Sequence, residues 1–129
     1  MTAFLLDTQV FIYALNTPEL IPPKTKAIYD IPETELYLSM ASIWEMGIKV
    51  SLRKLKFANP LKEIIQTSIK ETGLKILPIR VEHIYLVETF PFHHKDPFDR
   101  LIAAQALAES MPLISIDSAF DAYGVQRVW

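Results

Sequence analysis

Short apolar runs alternate along the chain with longer segments in which apolar residues recur every three or four positions. A short apolar run is typical of a buried strand, whereas the longer period is typical of a helix that packs on one side. The short runs predict five strands: Ala3–Leu6, Glu35–Leu38, Leu74–Pro78, Leu113–Ile116 and, as a last possible strand, Val125–Val128.

The longer segments predict helices with ordinary start and stop residues. Pro23, Pro60 and Pro97 stand at helix starts, where the missing N–H costs little, and Gly73 follows a helix end. The predicted helices are Val10–Leu15, Lys24–Tyr29, Ser39–Val50, Leu61–Thr72, Val81–Phe90 and Phe98–Ser110, with a helical turn at Ala119–Tyr123. Strands separated by helices predict parallel pairing through crossover connections, and therefore an α/β sandwich.

The composition indicates one folded domain. The chain has 129 residues, of which 50% are hydrophobic and 22% charged, with 3 Gly and no Cys; these values exclude a disordered chain, a collagen and a disulfide scaffold. The apolar runs are far shorter than the roughly 20 residues of a membrane-spanning helix, and no signal-peptide pattern is visible. We therefore expect a single domain over residues 1–129, without a membrane span and located in the cytoplasm.

Acidic residues stand at the junctions between predicted elements. The net charge of -2 argues against a nucleic-acid binder, whose domain is usually basic, but the positions of the acids are more informative than their sum. Asp7 and Asp117 directly follow predicted strands, and ligands of open α/β sheets bind beyond the carboxyl ends of the strands. Glu45 and Asp99 lie in predicted helices with apolar neighbours.

Each acid also has a structural explanation. Asp7 and Asp117 are suited to cap the helices that follow them, Ser42 and Glu45 have the spacing of a capping box, and Asp96–Asp99 has the form of a cap, a first-turn proline and a first-turn acid. Taken singly, the capping interpretation is favoured. Taken together, several buried carboxylates need a partner, and Mg²⁺ or Mn²⁺ is the usual one. The residues thus predict a metal-dependent phosphotransferase or nuclease.

Four segments carry motifs in a characteristic order. The most specific is Asp-Pro-Phe-Asp-Arg-Leu-Ile-Ala-Ala-Gln-Ala, which begins at Asp96. The full set comprises residues 5–8, 42–49, 94–106 and 114–117, with Phe120, Tyr123 and Gly124. In order, spacing and length the chain resembles the PIN-domain ribonucleases, specifically the VapC-type toxins of prokaryotic toxin–antitoxin pairs. The resemblance implies a three-layer α/β/α sandwich with a central, mainly parallel sheet, and hydrolysis of RNA with one or two Mg²⁺ or Mn²⁺ ions.

The resemblance also implies roles for individual side chains. The catalytic and metal-binding residues are Asp7, Glu45, Asp99 and Asp117, with Asp96 as an additional or alternative ligand. Candidate substrate contacts are Thr8, Lys49, Arg100 and Ser115, the last at a position where relatives often have Thr. Each contact has a structural alternative: a helix-start hydroxyl for Thr8, a carboxylate partner for Arg100, a solvated basic stretch for Lys49, and the positioning of Asp117 for Ser115.

Other conspicuous side chains are not expected among the metal ligands. His93 and His94 directly precede the acidic motif and are placed to approach a substrate, but imidazole is not the preferred ligand of Mg²⁺, so we expect the acids alone to hold the metal. Trp44 and Phe98 are expected in the core. Asp121 falls outside the matched acids and is expected to be a structural acid.

The resemblance further implies partners. These are an RNA substrate, a cognate VapB-like antitoxin that covers the groove and contacts operator DNA, and a second copy of the chain in a homodimer. Two other interpretations remain open: a PIN nuclease of RNA processing, and a non-catalytic binding or phosphoacceptor module. A phosphoacceptor domain needs a Lys after a late strand, where this chain has Asp117.

Overall fold

Five short strands form one parallel sheet in the order β3-β2-β1-β4-β5. The computed structural model describes residues 2–129. The strands are β1 (Ala3–Leu6), β2 (Glu35–Ser39), β3 (Lys75–Leu77), β4 (Leu113–Ile114) and β5 (Arg127–Val128). From β1 the chain proceeds outward to β3 and then returns to place β4 on the other side of β1. The order therefore reverses between β1 and β4, where open α/β sheets bind ligands.

Six α-helices cover the sheet. They are α1 (Thr8–Asn16), α2 (Pro23–Tyr29), α3 (Met40–Ser51), α4 (Leu61–Thr72), α5 (Val81–Thr89) and α6 (Pro97–Ala108), with 3-10 helices at Pro18–Leu20 and Ser118–Tyr123. Leu5 of β1 packs in one apolar core with Ile102 of α6, whereas Leu6 packs in a second core with Val10 of α1 and Met46 of α3. Successive strand residues point to opposite faces, so the sheet is buried on both. The fold is the predicted three-layer α/β/α sandwich.

The element boundaries differ from the predicted ones where local hydrogen bonds intervene. Strand β4 ends at Ile114, two residues early, because the Ser115 hydroxyl accepts the Asp117 N–H at 3.0 Å and turns the chain. Helix α6 ends at Ala108 because Ser110 adopts a left-handed φ of 53°.

One large aromatic residue lies where the sequence did not predict it. Trp44 was expected in the core, but 62% of its surface is exposed and its ring meets Phe98 edge-on at 5.1 Å. The expectation was wrong because Trp44 is two residues before the buried Met46, so its side chain points to the opposite side of α3. Among residues 2–129, no helix is long and apolar enough to cross a membrane.

Candidate metal centre

The predicted acids converge on one pocket of about 260 Å³ at the point where the strand order reverses. Asp7 follows β1, Glu45 projects from α3, Asp99 from the first turn of α6, and Asp117 follows β4. The complete lining is Asp7, Thr8, Gln9, Ile12, Glu45, Lys49, Asp96, Asp99, Ile116 and Asp117. Elements distant in sequence thus bring all five predicted metal ligands together.

Asp7 is held at the carboxyl end of β1 by Ser115. The Ser115 hydroxyl donates to Asp7 Oδ2 at 2.7 Å and also accepts the Asp117 N–H, which ties the ends of β1 and β4 together. Burial raises the pKa of Asp7; the hydrogen bond from Ser115 opposes the rise, and the charges of Glu45 and Asp117 add to it. Within the described chain the Asp7 side chain makes no capping hydrogen bond to α1, so the capping alternative is not realised.

Glu45 presents one free carboxylate oxygen to the pocket. Its Oε2 accepts from Lys49 Nζ at 2.9 Å, and this hydrogen bond raises the pKa of Lys49. Its Oε1 is buried and has no hydrogen-bond partner among residues 2–129. The capping-box interpretation is wrong, because Ser39 caps α3 by accepting the Ala41 N–H, whereas Ser42 lies inside the helix.

Asp96 and Asp99 stand at the start of α6. Asp96 caps the helix by accepting the Phe98 N–H at 2.8 Å, which confirms that part of the structural interpretation. Asp99 faces the pocket. Its pKa is raised from 3.8 to about 7, mainly by burial and then by the charges of Asp7, Asp96, Glu45 and Asp117 in that order. The cluster therefore lacks the positive charge that full ionisation requires.

Asp117 uses its two oxygens differently. Oδ1 accepts the Ala119 N–H at 3.0 Å and so caps the 3-10 helix that follows. Oδ2 lies 3.3 Å from Nε2 of His94, whose Nδ1 lies 3.7 Å from Asp99 Oδ2. His94 was not expected among the metal ligands, yet its ring lies beside two of the carboxylates predicted to be ligands. Its position two residues before Asp96 was the signal in the sequence.

Three of the four expected substrate contacts are buried and hydrogen-bonded within the protein. The Thr8 hydroxyl is buried and donates to Ser42, and Ser115 is fully buried. The Arg100 guanidinium is buried and donates to the carbonyl oxygens of Pro91, Val87 and Phe90 at 3.0, 3.1 and 3.4 Å. The Arg100 guanidinium therefore pairs with backbone carbonyls rather than with a carboxylate, and it holds the end of α5 and the following loop. Lys49, whose side chain is 41% exposed, is the one of the four that reaches solvent at the pocket.

Asp121 takes the structural role expected of it. It pairs with Arg127 at 2.9 Å on the surface, and the hydrogen bond from Arg127 lowers the pKa of Asp121. It contributes nothing to the pocket lining.

A divalent cation fits the donors that are present. Carboxylate oxygens are the ligands that Mg²⁺ and Mn²⁺ prefer, and five residues supply them at one pocket. The buried, unpaired Glu45 Oε1 is an acceptor that lacks a donor anywhere in residues 2–129. The raised pKa values of Asp7 and Asp99 indicate a deficit of positive charge at the same place.

Comparison with known proteins agrees with this geometry. The solved structures that resemble the chain include VapBC2 from Rickettsia felis bound to a DNA fragment from its promoter, with a TM-score of 0.75, 15% identity and 98% of each chain covered. FitAcB from Neisseria gonorrhoeae matches with a TM-score of 0.67 and 23% identity, covering 98% of this chain and 96% of that chain. VapBC-5 from Mycobacterium tuberculosis matches with a TM-score of 0.60 and 20% identity, covering 99% of this chain and 97% of that chain. No curated protein matches in sequence. The family model described as "PIN domain" matches residues 4–126, and the chain therefore belongs to the PIN domain family.

Proposed function

We propose that this chain is a VapC-like toxin, a metal-dependent endoribonuclease that a cognate VapB-like antitoxin neutralises. The observation that carries the proposal is the convergence of Asp7, Glu45, Asp99 and Asp117 on one pocket, with a buried oxygen of Glu45 unpaired among the described residues. Membership of the PIN domain family and the likeness to toxin–antitoxin complexes support it.

The four carboxylates would hold Mg²⁺ or Mn²⁺, with Asp96 beside them. When bound, a divalent cation supplies a Lewis acid that lowers the pKa of water and offsets the charge of a phosphodiester. Ser115 fixes the orientation of Asp7 through the 2.7 Å hydrogen bond, and the cap on the 3-10 helix fixes Asp117. Asp99, whose pKa is raised to about 7 by burial and by the neighbouring carboxylates, would bind the cation in its deprotonated form.

RNA is expected to contact a local basic rim. Lys49 lines the pocket, and Arg53, Lys54 and Lys56 are exposed in the segment that follows α3. The net charge of -2 does not favour phosphate binding over the whole surface, so we infer that affinity comes from this rim and from the metal.

An antitoxin segment fits a groove beside the metal pocket. This groove, of about 380 Å³, is lined by Ile48, Lys95, Pro97 and Phe98 and shares Glu45, Lys49 and Asp96 with the pocket. The exposed Trp44 packs edge-on against Phe98, and exposed aromatic side chains are common anchors of interfaces. An extended antitoxin segment lying in the groove would bring a basic side chain to the acids. We infer that the toxin works in the cytoplasm as a homodimer and meets DNA only through the antitoxin.

RNA cleavage by the purified chain tests the nuclease activity. We expect a structured RNA to be cut with Mn²⁺ or Mg²⁺ and to stay intact with EDTA. Asp7→Asn and Asp99→Asn are expected to lower the rate at least about a hundredfold, since each removes a charged ligand. The matched control is Asp30→Asn, an exposed aspartate outside the pocket, which should cleave at the wild-type rate. Cleavage in EDTA, or full activity of Asp7→Asn, would contradict the proposed site.

Controlled expression in bacteria separates a toxin from an RNA-processing nuclease. We expect the wild-type chain to arrest growth and Asp7→Asn to leave growth unaffected. Co-expression of a small protein encoded in the adjacent reading frame is expected to restore growth. An active nuclease that leaves growth normal would contradict the toxin assignment and favour a processing enzyme.

A further inference from the structure

His94 is fixed beside the acids by aromatic contacts rather than by hydrogen bonds of its ring. The ring packs on Phe120 at 4.8 Å and lies parallel to Tyr123, 6.1 Å away with an interplanar angle of 9°. The backbone N–H of His94 donates to the Tyr123 hydroxyl at 2.9 Å. Only 11% of the side chain is exposed. The imidazole is therefore held in place before any ligand binds.

The two ring nitrogens face carboxylates without bonding to them. Nδ1 lies 3.7 Å from Asp99 Oδ2, which is beyond hydrogen-bond range. Nε2 lies only 3.3 Å from Asp117 Oδ2, but it is buried and makes no hydrogen bond of acceptable geometry to any of residues 2–129. A buried imidazole that served only as a structural partner would normally donate to one of these oxygens.

The ring nitrogen and the carboxylate oxygens are close enough together to bind one metal ion. One ligand atom each from His94, Asp99 and Asp117 lies within 4.8 Å of the others. Ligand atoms around one small cation, each about 2.0–2.2 Å from it, lie up to about 4 Å apart. A small inward shift of these side chains therefore suffices to bind one ion.

We propose that His94 is a nitrogen ligand of the metal centre, together with Asp99 and Asp117, and that it biases the centre towards Mn²⁺ and other first-row transition ions over Mg²⁺. The proposal rests on the metal centre of the proposed function and names a ligand beyond its carboxylates. Imidazole binds transition ions well, whereas Mg²⁺ prefers oxygen. The sequence analysis expected only acids to bind the metal, because it judged imidazole by the ligand preference of Mg²⁺.

Pulsed electron paramagnetic resonance of the Mn²⁺-loaded, full-length chain tests the ligand directly. The chain contains three histidines, so selective ¹⁵N labelling of histidine identifies an imidazole nitrogen bound to Mn²⁺. We expect a ¹⁴N modulation in the wild type that is replaced by ¹⁵N couplings after labelling. This measurement needs no substitution and so does not depend on the folding of a variant.

Two matched variants complete the test. His93→Gln changes the exposed neighbouring histidine and is expected to keep the nitrogen signal, whereas His94→Gln is expected to lose it. Calorimetric titration should show Mn²⁺ binding weakened about tenfold or more in His94→Gln, with Mg²⁺ binding changed less than about twofold.

The outcomes distinguish this proposal from the proposed function. A wild type that binds Mn²⁺ and cuts RNA but shows no imidazole nitrogen overturns the role of His94 alone. A nitrogen signal that persists in His94→Gln overturns it as well. A wild type that binds neither Mn²⁺ nor Mg²⁺ overturns both the role of His94 and the metal centre.

Discussion

Asp99→Asn is expected to stabilise the metal-free protein at neutral pH, although it removes a proposed metal ligand. The cause is the burial of the carboxyl group, followed by the charges of Asp7, Asp96, Glu45 and Asp117, which together raise the pKa of Asp99 from 3.8 to about 7. Because this folded-state pKa lies above the unfolded one, the native state binds more protons between these two pH values. The free energy of unfolding therefore falls as the pH rises from about 4 to about 7.

The size of the effect follows from the raised pKa. At about 1.36 kcal/mol per pKa unit, a rise from 3.8 to about 7 corresponds to at most about 4 kcal/mol. The side chain is 23% exposed, so screening by solvent reduces this to about 2 kcal/mol. At about 2.1 cal/mol/K per residue, the unfolding entropy of 129 residues converts about 2 kcal/mol into about 7 °C of Tm.

Thermal unfolding in EDTA at pH 5 and pH 8 measures this effect. We expect the wild type and the Asp30→Asn control to lose about 1 kcal/mol between the two pH values, because part of the loss is complete below pH 5, and Asp99→Asn to lose much less. At pH 8 the Tm of Asp99→Asn is expected to lie about 7 °C above that of the wild type. With added Mn²⁺ the wild type should have the higher Tm, because the ion stabilises only a chain that binds it. A lower Tm for Asp99→Asn at pH 8 in EDTA would refute the reasoning.

Substitutions at three further positions test other parts of the account. Ser115→Ala should slow RNA cleavage and raise the pKa of Asp7 further, because the 2.7 Å hydrogen bond to Asp7 is lost. Ser115→Thr should restore the rate, and equal cleavage rates for the wild type and both variants would contradict the role of Ser115. Arg100→Ala should cost about 2–3 kcal/mol in urea unfolding while RNA affinity in the presence of metal stays unchanged. Trp44→Ala should weaken antitoxin binding at least about tenfold without changing free-toxin cleavage, and unchanged antitoxin affinity would argue against the groove.

The sequence predicted the sheet and the convergence of the acids for one shared reason. Parallel strands bring their carboxyl ends to one edge, so an acid placed after β1 and another after β4 meet whatever the exact strand lengths. Asp7 and Asp117 were therefore predictable although β4 has two residues rather than four. The apolar residues next to Glu45 and Asp99 in the sequence likewise indicated that these two acids are buried, although they did not show which residues the acids contact.

The misplaced residues depend on tertiary contacts that spacing does not reveal. Arg100 adjoins Asp99 in sequence, yet it turns away to the carbonyl oxygens at the end of α5. Trp44 lies largely in solvent, because the edge-on contact with Phe98 of α6 covers only part of its ring. His94 enters the cluster because Phe120 and Tyr123, more than twenty residues later, hold its ring.

The end groups of the RNA fragments test the central claim most directly. If the acidic pocket activates water for attack on phosphorus, the Mn²⁺-dependent products carry a linear phosphate on one side of the break and a free hydroxyl on the other. The ribose 2′-hydroxyl is then not the nucleophile, and no 2′,3′-cyclic phosphate forms. Linear ends that require Mn²⁺ and disappear with Asp7→Asn are the predicted result. A 2′,3′-cyclic phosphate, or cleavage that continues in EDTA, would contradict the account.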